Sequence, residues 1–204
     1  MEADFWHERW AKGEIGFHMP RPHDALQRHW SKLQLAPGST VFVPLAGKSL
    51  DMVWLAEHGH SVIGVELSPT AVAEFHQEHP AVPNIDLRCG DFFAVTRADL
   101  GPVAAIFDRA ALVALPPAMR IAYARHLTEL TPPGCRMLLV TMEYDQQQMR
   151  GPPHAVPADE VAALYGATHS ISQLERIDIL ADNPRLLERG VSALHESIYL
   201  LERR

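Results

Sequence analysis

Apolar residues fall along this chain in short unbroken runs, separated by longer stretches where apolar and polar positions mix at helical spacing. The run VFVPL predicts a strand over 40–45, and SVIGV predicts a second over 61–65. Residues 85–89, 103–107 and 136–142 predict three more. Strands that read as continuous apolar runs are covered on both faces, as in a parallel sheet between helices. Helices are expected between them, over 49–58 with Gly59 as the stop, and from Pro69 to about residue 79. Ser68 before Pro69 gives the second a strong start, a capping side chain followed by proline at the first helical position. Pro116-Pro117 opens another helix reaching residue 130. The last third predicts a helix over 159–165 and strands over 171–179 and 195–201, which fit an antiparallel edge on the same sheet. No repeat, linker or low-complexity stretch divides the chain. One α/β domain over 1–204 is expected, with a mostly parallel sheet and helices on both faces.

Composition narrows the function. The 204 residues are 47% hydrophobic and 21% charged, with a formal net charge of −7. That balance disfavours a nucleic-acid or anionic-membrane partner. Cys89 and Cys135 lie far apart and form no C-x-x-C pair, so no disulfide framework is read. No apolar run approaches ~18 residues, and a cytoplasmic protein is expected. Twelve histidines invite a metal reading. There is no H-E-x-x-H, however, and His58-x-His60 beside Gly59 has no further ligand at metal spacing. These two read as solvated helix-end histidines, and no metal site is expected.

The stretch VPLAGKSLD, residues 43–51, holds the candidate chemistry. Gly47-Lys48-Ser49 matches the tail of a phosphate-binding loop, but Phe42 stands where that loop needs its first glycine. Pro44 also removes a backbone N–H from the cradle. The dinucleotide fingerprint G-x-G-x-x-G is absent too. What remains is a strand, a turn with one glycine and a helix, at the sheet end where α/β proteins bind ligands. Glu66 follows Gly47 by nineteen residues and closes the second strand, the position of an acid that accepts two ribose hydroxyls. Asp91 closes the third strand, where it could accept from an adenine amino group with Phe92 packed on the base; a helix cap reads equally well. The turn suits adenosine without a pyrophosphate, as in S-adenosylmethionine.

Longer stretches carry a resemblance. FWHERWAKGEIGFH, VFVPLAGKSLDMVWLAEHGHSVIGVELS, CGDFF, FDRAALVALP, EYD with GPP, and YLLER are together similar to bacterial-type thiopurine S-methyltransferases, nearly end to end. The resemblance implies the class I methyltransferase fold, a Rossmann-like seven-stranded sheet. It implies methyl transfer from S-adenosylmethionine to the sulfur of an aromatic or heterocyclic thiol, without a metal. Trp10, Leu45, Glu66, Asp91, Phe92 and Arg109 take the positions of cofactor-contacting residues. Phe17, Arg109 and Arg185 take those on the acceptor side, and residues 1–30 form a segment capping the cofactor. A monomer acting on a small-molecule thiol or a metalloid acceptor is expected. The alternatives are methylation of selenium or tellurium oxyanions, or an adenosyl-ligand-binding module with little activity.

The residue chemistry agrees with this. Trp6 and Trp10 can share a helical stripe, and a sulfonium is attracted to an indole face by ~0.5–2 kcal/mol. Arg109 reads either as a structural partner of an acid or as a planar fork facing a thiolate. No catalytic base is nominated, because heteroaromatic thiols ionise near neutral pH and the displacement depends mainly on positioning. The chain departs from the family twice. The segment before CGDFF is short, which predicts a more open acceptor pocket. His154 follows GPP where phenylalanine is usual, which predicts a more polar wall.

Overall fold

The computed structural model describes residues 3–204; residues 1 and 2 of the expected N-terminal segment lie outside them. The apolar runs become β1 (Thr40–Pro44), β2 (Ser61–Glu66), β3 (Ile85–Cys89), β4 (Val103–Arg109) and β5 (Arg136–Glu143). These pair in parallel, and β7 (His195–Arg203) runs antiparallel between β5 and β6 (His169–Asp178). All seven belong to one sheet of order β3-β2-β1-β4-β5-β7-β6. The chain builds outward from β1 to β3, then returns to β4 on the other side. The strand order therefore reverses between β1 and β4, where a crevice opens at the carboxyl ends.

Eight α-helices cover the sheet among the described residues: α1 (Ala3–Ala11), α2 (Asp24–His29), α3 (Leu50–Glu57), α4 (Pro69–Glu78), α5 (Arg97–Leu100), α6 (Pro117–Leu130), α7 (Ala158–Tyr165) and α8 (Pro184–Glu188). Ser49 caps α3 through the Asp51 amide, and Ser68 caps α4 through the Ala71 amide. Leu26, Met52, Leu55 and Phe75 from α2, α3 and α4 share one core with Val41, Val43, Ala105 and Phe107. Tyr123, Leu127 and Tyr165 from α6 and α7 build the opposite core with Phe42, Ile106 and Leu139. Burial on both faces explains the continuous apolar strands. The antiparallel edge is present, but β7 lies inside β6 rather than outermost.

Two sequence readings change. His60 is buried, accepting from the Trp30 indole N–H at 2.9 Å, so it is a core histidine and not a solvated one. His58 remains exposed and stacks on Trp54. Strand β4 also runs past Phe107 to Arg109 because Asp108, though polar, is fully buried. Its carboxylate accepts from the Leu112 amide at 3.1 Å and the Tyr123 hydroxyl at 2.8 Å. Burial outweighs these bonds and pushes the carboxyl from 3.8 to about 6.

A folded-state pKa raised above the unfolded value means the folded protein binds the extra proton between the two. The associated stability is present below about pH 4 and lost by about pH 6, roughly 3 kcal/mol in all. Asp108→Asn removes that titration. Urea unfolding across this window should show the wild type losing stability relative to the variant as pH rises; parallel curves would contradict the assignment.

Candidate functional site

The crevice between β1 and β4 is marked by strained backbone. Leu45 at the end of β1 has φ of 46° and Ala110 after β4 has φ of 63°. Left-handed backbone costs a residue with a side chain roughly 1–2 kcal/mol, and such strain concentrates where a chain is shaped for binding. Here it flanks the switch point from both sides.

The next turn is built around Gly47. Its φ is 55°, and a Cβ there would come within 3.2 Å of the Trp10 ring, so the backbone and the close indole both favour glycine. Trp10 is the buried residue of α1. Phe17 packs edge-on against it at 5.6 Å and against Trp6 at 5.7 Å, so the N-terminal aromatics form one wall over the turn.

Glu66 faces this turn from the end of β2. One carboxylate oxygen accepts from the Gly47 amide at 2.8 Å and the other from the Ser68 amide at 2.7 Å. The Leu67 amide also bonds to this carboxylate. Its two oxygens have about four acceptor sites between them, so acceptor capacity remains for a further donor. Burial pushes the carboxyl above its ordinary range, partly offset by those amides. The residues fit a ribose: two fixed oxygens side by side match two vicinal hydroxyls.

Asp91 and Phe92 diverge. Asp91 caps the turn after β3, one oxygen accepting from the Phe93 amide at 2.9 Å. The Phe92 ring points into the core, 4% exposed, against Phe42, Tyr123 and His126. The ring is thus packed largely on core side chains rather than standing free at the strand end.

Lys48 settles the phosphate-loop question. Its ammonium contacts Glu78 at 2.6 Å and Glu74 at 2.9 Å on α4. Burial lowers its pKa, but the two carboxylates outweigh burial and the net shift is upward. The lysine is held away from the turn by anions that would repel phosphate. Magnesium ATP should therefore leave the melting temperature unchanged; a shift abolished by Lys48→Ala would overturn this.

Arg109, at the end of β4, is tied to the same motif. Its Nε donates to Asp51 at 3.1 Å, while longer contacts run from Nη2 to the Ser49 hydroxyl at 3.4 Å and from Nη1 to the Phe17 carbonyl at 3.5 Å. Arg185 is exposed on α8 and reaches the same N-terminal loop; a Cβ on Gly16 would lie 3.1 Å from its Nη1. The structure thus brings Phe17, Arg109 and Arg185 to one loop. His18, beside them, is held below the ordinary histidine pKa by burial and by Lys48.

His154 is buried, and its Nε2 is without a partner among the described residues. Burial and nearby Arg120 lower its pKa, and its ring packs against Gly151. Sequence reading missed Asp51; the signal was an acid in the first turn of α3, near a strand-end arginine in need of a counter-charge. Among the described residues no cluster of His, Cys, Asp or Glu is grouped to hold a metal, and no helix is long and apolar enough to cross a membrane.

Comparison with known proteins adds an independent line. A family model described as thiopurine S-methyltransferase matches residues 1–204. A thiopurine S-methyltransferase of Azotobacter vinelandii is 48% identical, covering 100% of both chains, over 218 aligned positions. One from Pseudomonas fluorescens is 49% identical over 98% of this chain and 99% of its own. Among solved structures, an S-adenosylmethionine-dependent methyltransferase of Anabaena variabilis superposes with a TM-score of 0.71 at 16% identity, covering 99% of this chain and 95% of its own. Another, from Thiobacillus denitrificans in complex with S-adenosylhomocysteine, gives 0.67 at 14% identity over 97% and 98%. At these identities the solved structures speak to the fold alone.

Proposed function

This chain belongs to the thiopurine S-methyltransferase family, and from that premise we propose that it transfers a methyl group from S-adenosylmethionine to the sulfur of an aromatic or heterocyclic thiol. The observation that carries the cofactor half is Glu66, whose buried carboxylate is fixed by backbone amides at the turn and keeps acceptor capacity for a further donor. When bound, S-adenosylmethionine supplies an electrophilic methyl carbon on a cationic sulfur. Glu66 holds the ribose, Leu45 and Gly47 shape the turn beneath the ligand, and Asp91 with the Phe92 backbone borders the base. Trp10 offers an indole to the sulfonium side. Within the expected N-terminal segment, residues 3–30 cap the site, a reading supported by the close approach of Trp10 to Gly47.

The acceptor lies against Phe17, with the Arg109 and Arg185 guanidiniums favouring its thiolate form. No residue is needed to remove a proton from a thiol that is already ionised. The work of the chain is to align sulfur and methyl carbon and to exclude water, which is where most of the rate of such a displacement originates. The connection from α4 to β3 spans only residues 79–84. A short cover suits broad acceptor use, so we expect weak discrimination among aromatic thiols.

Two measurements test the reading. Calorimetry should detect S-adenosylhomocysteine and not NAD. Phe17→Ala should raise the acceptor KM with little change in kcat, because a wall residue supplies binding common to ground and transition states. Turnover of selenite with none of any thiol would replace the thiol reading with methylation of metalloid oxyanions.

A further inference from the structure

Asp51 is 2% exposed, and its carboxylate bridges the N-terminal loop, Arg109 and Ser49. One oxygen accepts from the His23 backbone N–H at 2.7 Å; the other accepts from Arg109 Nε at 3.1 Å and from the Ser49 hydroxyl at 2.8 Å. His23 is itself braced, its Nε2 lying 3.1 Å from Glu196 on β7 and its Nδ1 accepting the Ala25 amide. The loop carrying Phe17 is therefore pinned at its far end through His23 to Asp51, and in its middle through Arg109 to the Phe17 carbonyl.

Arg109 has five N–H donors in a rigid fork. Its Nε is committed to Asp51, and Nη1 and Nη2 each keep an N–H beyond their contacts with Phe17 and Ser49. A guanidinium held along its Nε edge by Asp51 and Ser49 has its free edge directed away from them. Without Asp51 the same side chain would have several rotamers, and its charge would lack a buried counter-ion.

We propose that Asp51 is the positioning residue of the acceptor site, fixing the Arg109 fork and the Phe17 loop together so that an anionic sulfur acceptor meets one preset guanidinium edge. This rests on the reading of Arg109 as an acceptor-side residue. It also gives the Gly-Lys-Ser-Leu-Asp stretch a use unrelated to phosphate: Lys48 ties the turn to α4, while Ser49 and Asp51 orient the arginine.

Asp51→Asn is nearly isosteric and keeps an oxygen for the His23 amide, but it turns an amide NH2 toward Arg109. With thiophenol as acceptor, it should lower kcat/KM by about tenfold or more, the scale of a lost hydrogen bond to a charged group. Thiophenol affinity for the protein loaded with S-adenosylhomocysteine should fall similarly in calorimetry, and by clearly more than the affinity for S-adenosylhomocysteine, because Arg109 borders both ligands while Glu66 still holds the ribose. Asp51→Glu, which keeps the charge and shifts it by one methylene, should restore part of the loss. In an Arg109→Lys background, Asp51→Asn should cost little more, because residues acting as a unit are not additive.

Additive losses, or equal losses of acceptor and cofactor affinity, would overturn the proposal. If Asp51→Asn does not fold, Asp51→Glu carries the test, and wild-type acceptor kinetics in it would overturn the proposal equally. An Arg109→Lys variant with unchanged acceptor kinetics would sink the reading of Arg109, and the proposal with it. A damaged Arg109→Lys beside an unaffected Asp51→Asn would sink the proposal alone.

Discussion

Replacing Glu66 with alanine should weaken S-adenosylhomocysteine binding by roughly ten- to a hundredfold, as expected for hydrogen bonds to a charged group worth ~1.5–3 kcal/mol. The carboxylate is buried and already fixed by the Gly47 and Ser68 amides, so a ribose would meet it with little left to reorganise. Alanine loses both acceptors and also leaves two backbone N–H groups without their partner. Glu66→Gln separates these effects, because its amide keeps one acceptor oxygen. The pH dependence has a definite sign. Burial raises the Glu66 pKa, and only the ionised form accepts from both hydroxyls. Affinity should therefore decline on acidification at a higher pH than an exposed glutamate would give, and Glu66→Ala should lack that decline. Unchanged affinity in a folded Glu66→Ala protein would remove the ribose assignment.

The second large effect concerns stability. Arg120 on α6 is fully buried, with Nε donating to the Leu115 carbonyl at 2.9 Å. Its Nη1 donates to the Ala155 carbonyl at 3.0 Å and to both oxygens of Glu160 at 2.7 Å, which ties α6 to α7. Removing one partner of a buried ion pair costs about 3–5 kcal/mol. Glu160 keeps 27% of its side chain in solvent, so the lower end, about 3 kcal/mol, is expected for Arg120→Ala. Arg125, one turn further along α6, reaches Glu129 only at 3.9 Å with both side chains largely exposed. Arg125→Ala should change little, because surface pairs are screened and weak. Urea midpoints of the two variants would decide; equal losses would show that burial of Arg120 is not what matters.

Most of the sheet was legible because burial on both faces writes strands as apolar runs, and Ser68-Pro69 announced α4 without tertiary context. Helices α5 and α8 were not legible: four and five residues are too few to show a helical period. The insertion of β7 between β5 and β6 had a partial signal, since residues 198–201 of β7 form a continuous apolar run while polar residues interrupt β6; which neighbours β7 takes is a tertiary fact. At the site, Glu66 could be placed from its distance to Gly47 along the chain. Phe92 could not, because neighbouring residues in a tight turn face different ways and the sequence does not say which faces the core. Asp51 was hidden for a similar reason. An acid in the first turn of a helix usually serves the helix, and its second role depends on Arg109, fifty-eight residues away.

The most direct test of the whole account uses S-adenosylmethionine carrying an isotopically labelled methyl group, with thiophenol and phenol offered separately. The product is then identified by mass spectrometry. The expected result is labelled S-methyl thiophenol formed in proportion to enzyme, no methylated phenol, and loss of the product in Glu66→Ala at limiting cofactor. A protein that binds S-adenosylhomocysteine yet labels no thiol sulfur would contradict it.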